Sequence, residues 1–136
     1  MSGDYIRFEI PEPTILLNQY LRMHWKARRR YVQRLAWRIR AAIGARRRRP
    51  MEQCRIEIER HSAGLPDWDG LYGGLKGLLD CLVVCTDRNP HGLGLIRDDN
   101  PECVVRLVAR PVSAPRGQGK TVVTIREVMA EQREAA

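Results

Sequence analysis

The chain has 136 residues, of which 43% are apolar and 29% are charged. This fits one globular domain and argues against a disordered or fibrous protein. A membrane-spanning helix needs about 18 consecutive apolar residues, and no stretch of the sequence approaches that length. Residues 1–4 lack the features of a secretory signal, so we expect a cytoplasmic protein. Lys and Arg number 24 against 16 acids, giving a net charge of +8 and a pI of about 9.9. Most of these cations are arginines, which favours a phosphate-bearing partner.

The N-terminal half predicts a strand followed by a long helix. In residues 5–10 apolar and polar side chains alternate, as in a half-buried strand, and Pro11 and Pro13 end it. Residues 14–22 are predicted to form a loop. From about Trp25 to Gly44 apolar residues recur at helical spacing, which predicts an amphipathic helix. Its apolar stripe comprises Val32, Leu35, Ala36, Ile39, Ala42 and Ile43.

The rest of this helix and the segment after it are basic, and no acid occurs between Glu12 and Glu52. An ordinary solvated helix mixes charge signs, whereas a single-sign surface repels itself and favours a polyanionic partner. A merely solvated basic face is the alternative. We therefore predict DNA binding by Lys26, Arg28, Arg29, Arg30, Arg34, Arg46, Arg47 and Arg48.

The C-terminal half predicts one further helix and more strands. Residues 54–59 alternate as a strand, and a leucine stripe (Leu71, Leu75, Leu78, Leu79 and Leu82) predicts a second helix. Residues 86–94 form a turn-rich loop, residues 93–96 a short strand, and residues 104–109 and 121–128 strands joined by a long hairpin loop at 111–119. The expected fold is α+β, with two helices packed on a mixed sheet. It is one domain, with a core at about 5–128 and a flexible tail at 129–136.

An acidic cluster interrupts this basic chain. If the segment around Asp67 and Asp69 is extended, both carboxylates point the same way and suit a hard cation such as magnesium. Asp98 and Asp99 precede a predicted strand and could complete the site. The alternative for the first pair is a turn or a helix N-cap, for which Asp69 is well placed.

Lys76 and Asp80 are four residues apart, so they share one side of the leucine-rich helix. A lysine there could stabilise charge that builds on a phosphate during hydrolysis. The alternative is a surface ion pair of little consequence.

Four cysteines are present: Cys54, Cys81, Cys85 and Cys103. The last three, with His91, could bind zinc, but no CxxC pair occurs. Reduced thiols packed in the core are the favoured interpretation.

The residues Asp67-x-Asp69-Gly-Leu-x-Gly-Gly-Leu-Lys76-x-x-x-Asp80-x-Leu82, followed by Ile96-x-Asp98-Asp99-x-Pro-Glu102, resemble the RusA family of Holliday junction resolvases. The resemblance is closest to its phage and prophage branch and covers about residues 5–128. It implies a homodimeric endodeoxyribonuclease that makes paired cuts in four-way DNA junctions with magnesium, or with manganese. Neither an organic cofactor nor a membrane partner is implied.

The resemblance also implies roles for individual residues. Asp67, Asp69 and Asp99 would bind the metal, with Asp98 as an alternative to Asp99, and Lys76 would be the catalytic lysine. The family usually has Asn after the second aspartate, where this chain has Gly70. Two other functions therefore stay open: a catalytically impaired junction-binding protein, and a nuclease for other branched nucleic acids.

Overall fold

One mixed four-stranded sheet organises the computed structural model, which describes residues 3–44 and 49–129. The strands are β1 (Tyr5–Ile10), β2 (Cys54–Ser62), β3 (Val104–Ser113) and β4 (Lys120–Glu127), and their order across the sheet is β1-β4-β2-β3. β4 is antiparallel to both of its neighbours, whereas β2 and β3 are parallel. The last strand of the chain therefore lies inside the sheet.

Four helices accompany the sheet: α1 (Leu17–Arg22), α2 (Trp25–Ile43), α3 (Trp68–Gly73) and α4 (Lys76–Leu82). α2 packs against β1 and against α4. The buried side of α2 carries Tyr31, Leu35, Ala36 and Ile39, which join the inward side chains of the strands in one core. This burial of apolar surface is the main term that stabilises the fold. No described helix is both long and apolar enough to cross a membrane.

The structure confirms the predicted fold class and the main elements. β1 and α2 have the predicted extents, and the alternating Ile6, Phe8 and Ile10 are buried. The stripe of α2 is correct except at its end, where Ala42 is exposed. β2 and β3 continue beyond the predicted boundaries, to Ser62 and Ser113.

The predicted second helix is wrong in one respect, because it is two short helices. Leu75 N–H bonds to the carbonyl oxygen of Tyr72 (3.2 Å), a tighter turn than an α-helix makes, and this turn separates α3 from α4. The leucine stripe nevertheless continues through the break, since Leu71, Leu75, Leu78 and Leu82 are all fully buried.

Three local predictions are also wrong. The expected loop at 14–22 contains α1, and the expected short strand at 93–96 makes only isolated bridges, in which Ile96 pairs with Met51 and with Val83. The segment at 111–119 is not a hairpin loop, because β2 lies between β3 and β4 in the sheet. The predicted DNA-binding residues Arg46, Arg47 and Arg48, and all of the predicted tail but its first residue, lie outside the described part of the chain.

A close backbone contact joins α1 to the turn between α3 and α4. A Cβ atom built on Gly74 would lie 1.9 Å from the carbonyl oxygen of Ile15 and 3.0 Å from the Cα of Leu16. Only glycine permits this approach, which holds the segment leading into α1 against the start of α4.

Candidate active site

The candidate site is built by α4 and the loop before β3. Lys76 begins α4 and Asp80 lies one turn later, and the Lys76 Nζ donates to Asp80 Oδ1 at 3.2 Å. Asp98 and Asp99 follow the bridge at Ile96, which fixes this loop beside Val83, just after α4. Residues far apart in the sequence are therefore neighbours here.

These four side chains line one open cavity of about 360 Å³. Its wall also carries Thr86, Arg88, Asn89 and Arg97. Two of these are arginines; Arg97 is paired with Glu52 at 2.8 Å, so Arg88 and Lys76 are the main cations beside the carboxylates. An anionic substrate can therefore approach it.

Burial and neighbouring groups shift the pKa values of Asp99 and Lys76 in this cavity. Loss of solvent raises the pKa of the Asp99 carboxyl, and a hydrogen bond from Asp98 raises it further, whereas Lys76 opposes the shift. The pKa of Lys76 is raised, chiefly by its hydrogen bond to Asp80, with a smaller contribution from Asp99. Lys76 therefore stays protonated at neutral pH, and Asp99 is a better proton acceptor than an ordinary aspartate.

Backbone and amide groups hold the loop that carries Asp98 and Asp99. Asp98 accepts from the Asp99 backbone N–H (2.8 Å) and from the Asn100 Nδ2 (3.2 Å). The Asn100 Oδ1 in turn accepts from the backbone N–H groups of Glu102 and Cys103, both at 3.0 Å. Both carboxylate oxygens of Asp98 are thus engaged in the loop itself, so Asp99 is the more available ligand of the pair.

Asp67 and Asp69 do not line this cavity; they lie at the start of α3, about two helical turns before Lys76. The segment is not extended as expected. Asp67 is the N-cap of α3, and its Oδ1 accepts from the Gly70 backbone N–H at 2.7 Å. The alternative prediction, a helix N-cap in this segment, is thus correct. The capping residue is Asp67, however, and Asp69 lies in the first turn of the helix.

Gly70 has a local reason in this structure. A Cβ atom at position 70 would lie 2.7 Å from the Asp67 Oδ1. Glycine there leaves room for the capping carboxylate.

Among residues 3–44 and 49–129 there is no group of three or more His, Cys, Asp or Glu side chains placed to hold a metal ion. The suggested zinc ligands, Cys81, Cys85, Cys103 and His91, therefore form no such group. Cys81 is buried, and its Sγ donates to the Val32 carbonyl oxygen at 3.3 Å. Cys54 is also buried, as expected, but Cys85 is exposed and Cys103 is only half-buried.

The basic side chains of α2 are of two kinds, those with partners inside the protein and those exposed to solvent. Arg28 donates to the carbonyl oxygens of Tyr20 (3.0 Å) and Leu21 (3.2 Å), so it holds α1. Arg34 binds both carboxylate oxygens of Glu12, at 3.0 and 2.9 Å. These two arginines therefore make intramolecular contacts that the sequence did not reveal.

Lys26, Arg29 and Arg30 are exposed on α2 and line a further cavity of about 390 Å³. The sequence also gave no direct sign of Arg88, Asn89 and Arg97 as site residues. The only available signal was the polar run within residues 86–94. No family model matches this chain, and no curated protein matches it.

Proposed function

We propose that the protein is a magnesium-dependent endodeoxyribonuclease that cuts branched DNA, with the four-way junction as its principal substrate, as its resemblance to RusA-like resolvases implies. The observation that carries the proposal is the convergence of Lys76, Asp80, Asp98 and Asp99 in one cavity bordered by arginines. Carboxylates repel phosphate, so their concentration in a basic protein favours chemistry over simple binding.

The lysine and the three aspartates of the cavity each have a role in phosphodiester hydrolysis. Lys76, held protonated by Asp80, stabilises negative charge as it builds on the phosphate oxygens. Asp99 would hold the magnesium ion, as the resemblance implies, since the loop leaves its carboxylate more available than that of Asp98. Asp80 positions Lys76, and Asp98 holds the loop in the conformation that presents Asp99.

The donor set fits magnesium if the substrate completes the coordination. Magnesium is usually bound by one or two carboxylates together with waters and substrate phosphates, and it seldom occupies an all-protein cage. Asp99, alone or with the Asp80 oxygen that Lys76 does not contact, meets that requirement. When bound, the metal would polarise the phosphate and make water a better nucleophile. Asp67 and Asp69 remain ligands only by the resemblance, and their position at the start of α3 is its least supported part.

The basic surface of α2 supplies the affinity for DNA. Lys26, Arg29 and Arg30 are exposed and bind backbone phosphates, which makes binding salt-dependent and largely independent of base sequence. A homodimer with two-fold symmetry would place two such sites on the equivalent strands of a junction.

The decisive assay is cleavage of a labelled four-way junction with and without magnesium. Asp99→Asn and Lys76→Met should abolish paired cuts while junction binding survives, and Arg55→Ala, on the exposed side of β2, is the matched control. Asp67→Asn is informative because Asn caps a helix as well as Asp does, so lost cleavage could not be ascribed to a lost cap.

Binding without cuts in magnesium or manganese would contradict the proposal and favour a catalytically impaired junction-binding protein. Equal cutting of flaps, forks and junctions would instead favour a nuclease with broader substrates. Cleavage that survives Asp67→Asn and Asp69→Asn, but not Asp99→Asn, would indicate that the reaction takes place in the cavity of Lys76 and does not need the aspartates of α3.

A further inference from the structure

A second groove lies beside the cavity of Lys76 and Asp99. It has a volume of about 320 Å³, and Asp80, Arg88 and Asn89 line both cavities. Arg29 of α2 and His91 of the 86–94 loop line this groove but not the first cavity. The two cavities therefore adjoin, and a chain-like ligand can occupy both at once.

The arginines of this groove are available to a ligand. In the described residues 3–44 and 49–129, neither Arg29 nor Arg88 has an ion pair or a side-chain hydrogen bond, in contrast to Arg28 and Arg34. Two acids also line the groove. Asp80 is already paired with Lys76, so Asp87 is the principal opposing charge. Guanidinium groups match phosphate oxygens in geometry and charge.

His91 lines this groove, and one of its ring nitrogens is unsatisfied. Its Nε2 is buried and has no hydrogen-bond partner among the described residues. A buried polar atom without a partner costs about 1–3 kcal/mol, and an oxygen acceptor from a ligand would satisfy an Nε2–H there.

The loop that carries Arg88 and His91 is held in place before any ligand binds. The Asn89 Nδ2 donates to the carbonyl oxygen of Asp80 at 2.8 Å, and Thr86 and Asn89 exchange backbone hydrogen bonds at 3.1 and 3.0 Å. Beyond His91, Leu93 N–H bonds to the Cys81 carbonyl oxygen at 2.8 Å. A fixed loop loses little entropy on binding.

We propose that Arg29, Arg88 and His91 form a subsite for one backbone phosphate of a polynucleotide, next to the phosphate that reacts at Lys76 and Asp99. This inference rests on the proposed function for the position of the reacting phosphate. It fixes the path of the bound strand, which runs from the Lys76 cavity across Asn89 toward α2.

The test measures binding without cleavage. A fluorescein-labelled four-way junction is titrated in EDTA from 50 to 200 mM salt by fluorescence anisotropy. Arg29→Ala and Arg88→Ala should each weaken binding several-fold and reduce the slope of log K against log salt by about 1. Arg55→Ala removes the same charge from the opposite side of the sheet and should leave the slope unchanged. His91→Gln, which keeps an N–H donor, should bind better than His91→Ala.

A second arm locates the phosphate. Neutral methylphosphonate linkages are placed one at a time near the branch point. One position should weaken binding by the wild type and have no further effect on Arg29→Ala, because the two changes remove the same contact. The subsite would be contradicted if every methylphosphonate weakened binding by the wild type and by Arg29→Ala to the same extent. It would also be contradicted if the salt slopes of Arg29→Ala and Arg88→Ala equalled that of Arg55→Ala.

The two proposals fail separately in these experiments. A junction that is bound but never cut contradicts the nuclease, while the anisotropy data still decide on the subsite. A junction that is cut normally by wild type, with unchanged salt slopes in the variants, contradicts the subsite alone. Thermal melts of each variant show that the loss is not one of folding.

Discussion

Replacing Gly74 with alanine should destabilise the protein through a single backbone clash. The added Cβ would lie 1.9 Å from the Ile15 carbonyl oxygen, whereas real Cβ contacts essentially never fall below 3.0 Å. The segment leading into α1 must therefore retreat by about 1 Å from the turn between α3 and α4. Because the obstacle is backbone, no side-chain rotation relieves it.

The expected magnitude follows from two opposing effects. Overpacking of this kind costs roughly 1–3 kcal/mol, and a backbone obstacle belongs at the upper end. Alanine gains back about 0.5–1 kcal/mol, because it restricts the unfolded chain and Gly74 already has a helical φ of −79°. The net loss is about 2 kcal/mol. With an unfolding entropy of about 0.29 kcal/mol per kelvin for this length, Tm should fall by about 7 °C.

Thermal melts followed by circular dichroism measure this effect, and Gly64→Ala is the matched control. Nothing lies within 4 Å of a Cβ at Gly64, so that variant should melt at or slightly above the wild-type temperature. If Gly74→Ala melts with Gly64→Ala, the close packing of α1 against this turn does not exist in solution.

Three further predictions concern caps, buried hydrogen bonds and thiols. Asp67→Ala should lose about 1 kcal/mol of stability in urea melts because the Gly70 N–H loses its cap, whereas Asp67→Asn should be neutral; equal losses would contradict the capping role. Tyr31→Phe should cost about 1 kcal/mol because the part-buried Ile15 N–H, which donates to the Tyr31 hydroxyl at 3.1 Å, loses its acceptor; an unchanged urea midpoint would contradict that bond. Burial raises the pKa of Cys54 and of Cys81 from 9.0 to about 12, so only the unfolded chain ionises them just above pH 9. The free energy of unfolding should therefore be unchanged below pH 9 and fall between pH 9 and 12. Replacing both thiols with Ala should remove that fall in urea melts measured across this pH range.

The strands and α2 were predictable because each carries its own periodic signal. Ile6, Phe8 and Ile10 alternate over a whole strand, and the stripe of α2 extends from Val32 to Ile43, about three helical turns. α1 was missed because it has six residues, none of them buried, and so its sequence shows no apolar stripe. The position of β4 between β1 and β2 is a long-range property that local periodicity does not contain.

Local sequence also predicted only part of the candidate site. The pairing of Lys76 with Asp80 followed from helical spacing alone. The approach of Asp99 depends on the bridges at Ile96, and the contribution of Arg88 depends on how the 86–94 loop folds back on α4. For Asp67 the sequence allowed both an extended ligand and a helix cap. The cap is observed because the Gly70 N–H at the start of α3 needs an acceptor, and Asp67 supplies it.

The interior position of β4 has a consequence for how the chain folds. β1 joins the sheet only through β4, so the first strand has no strand neighbour until residues 120–127 are available. The β1–β4 pairing also closes a loop of more than a hundred residues, as the partnership of Ile6 with Ile125 shows. Closing such a loop slows folding, and an incomplete nascent chain would leave β1 as an unpaired edge prone to aggregation. Pulse-labelling hydrogen exchange should therefore find α2 and the β2–β3 pair protected before Ile6 and Phe8.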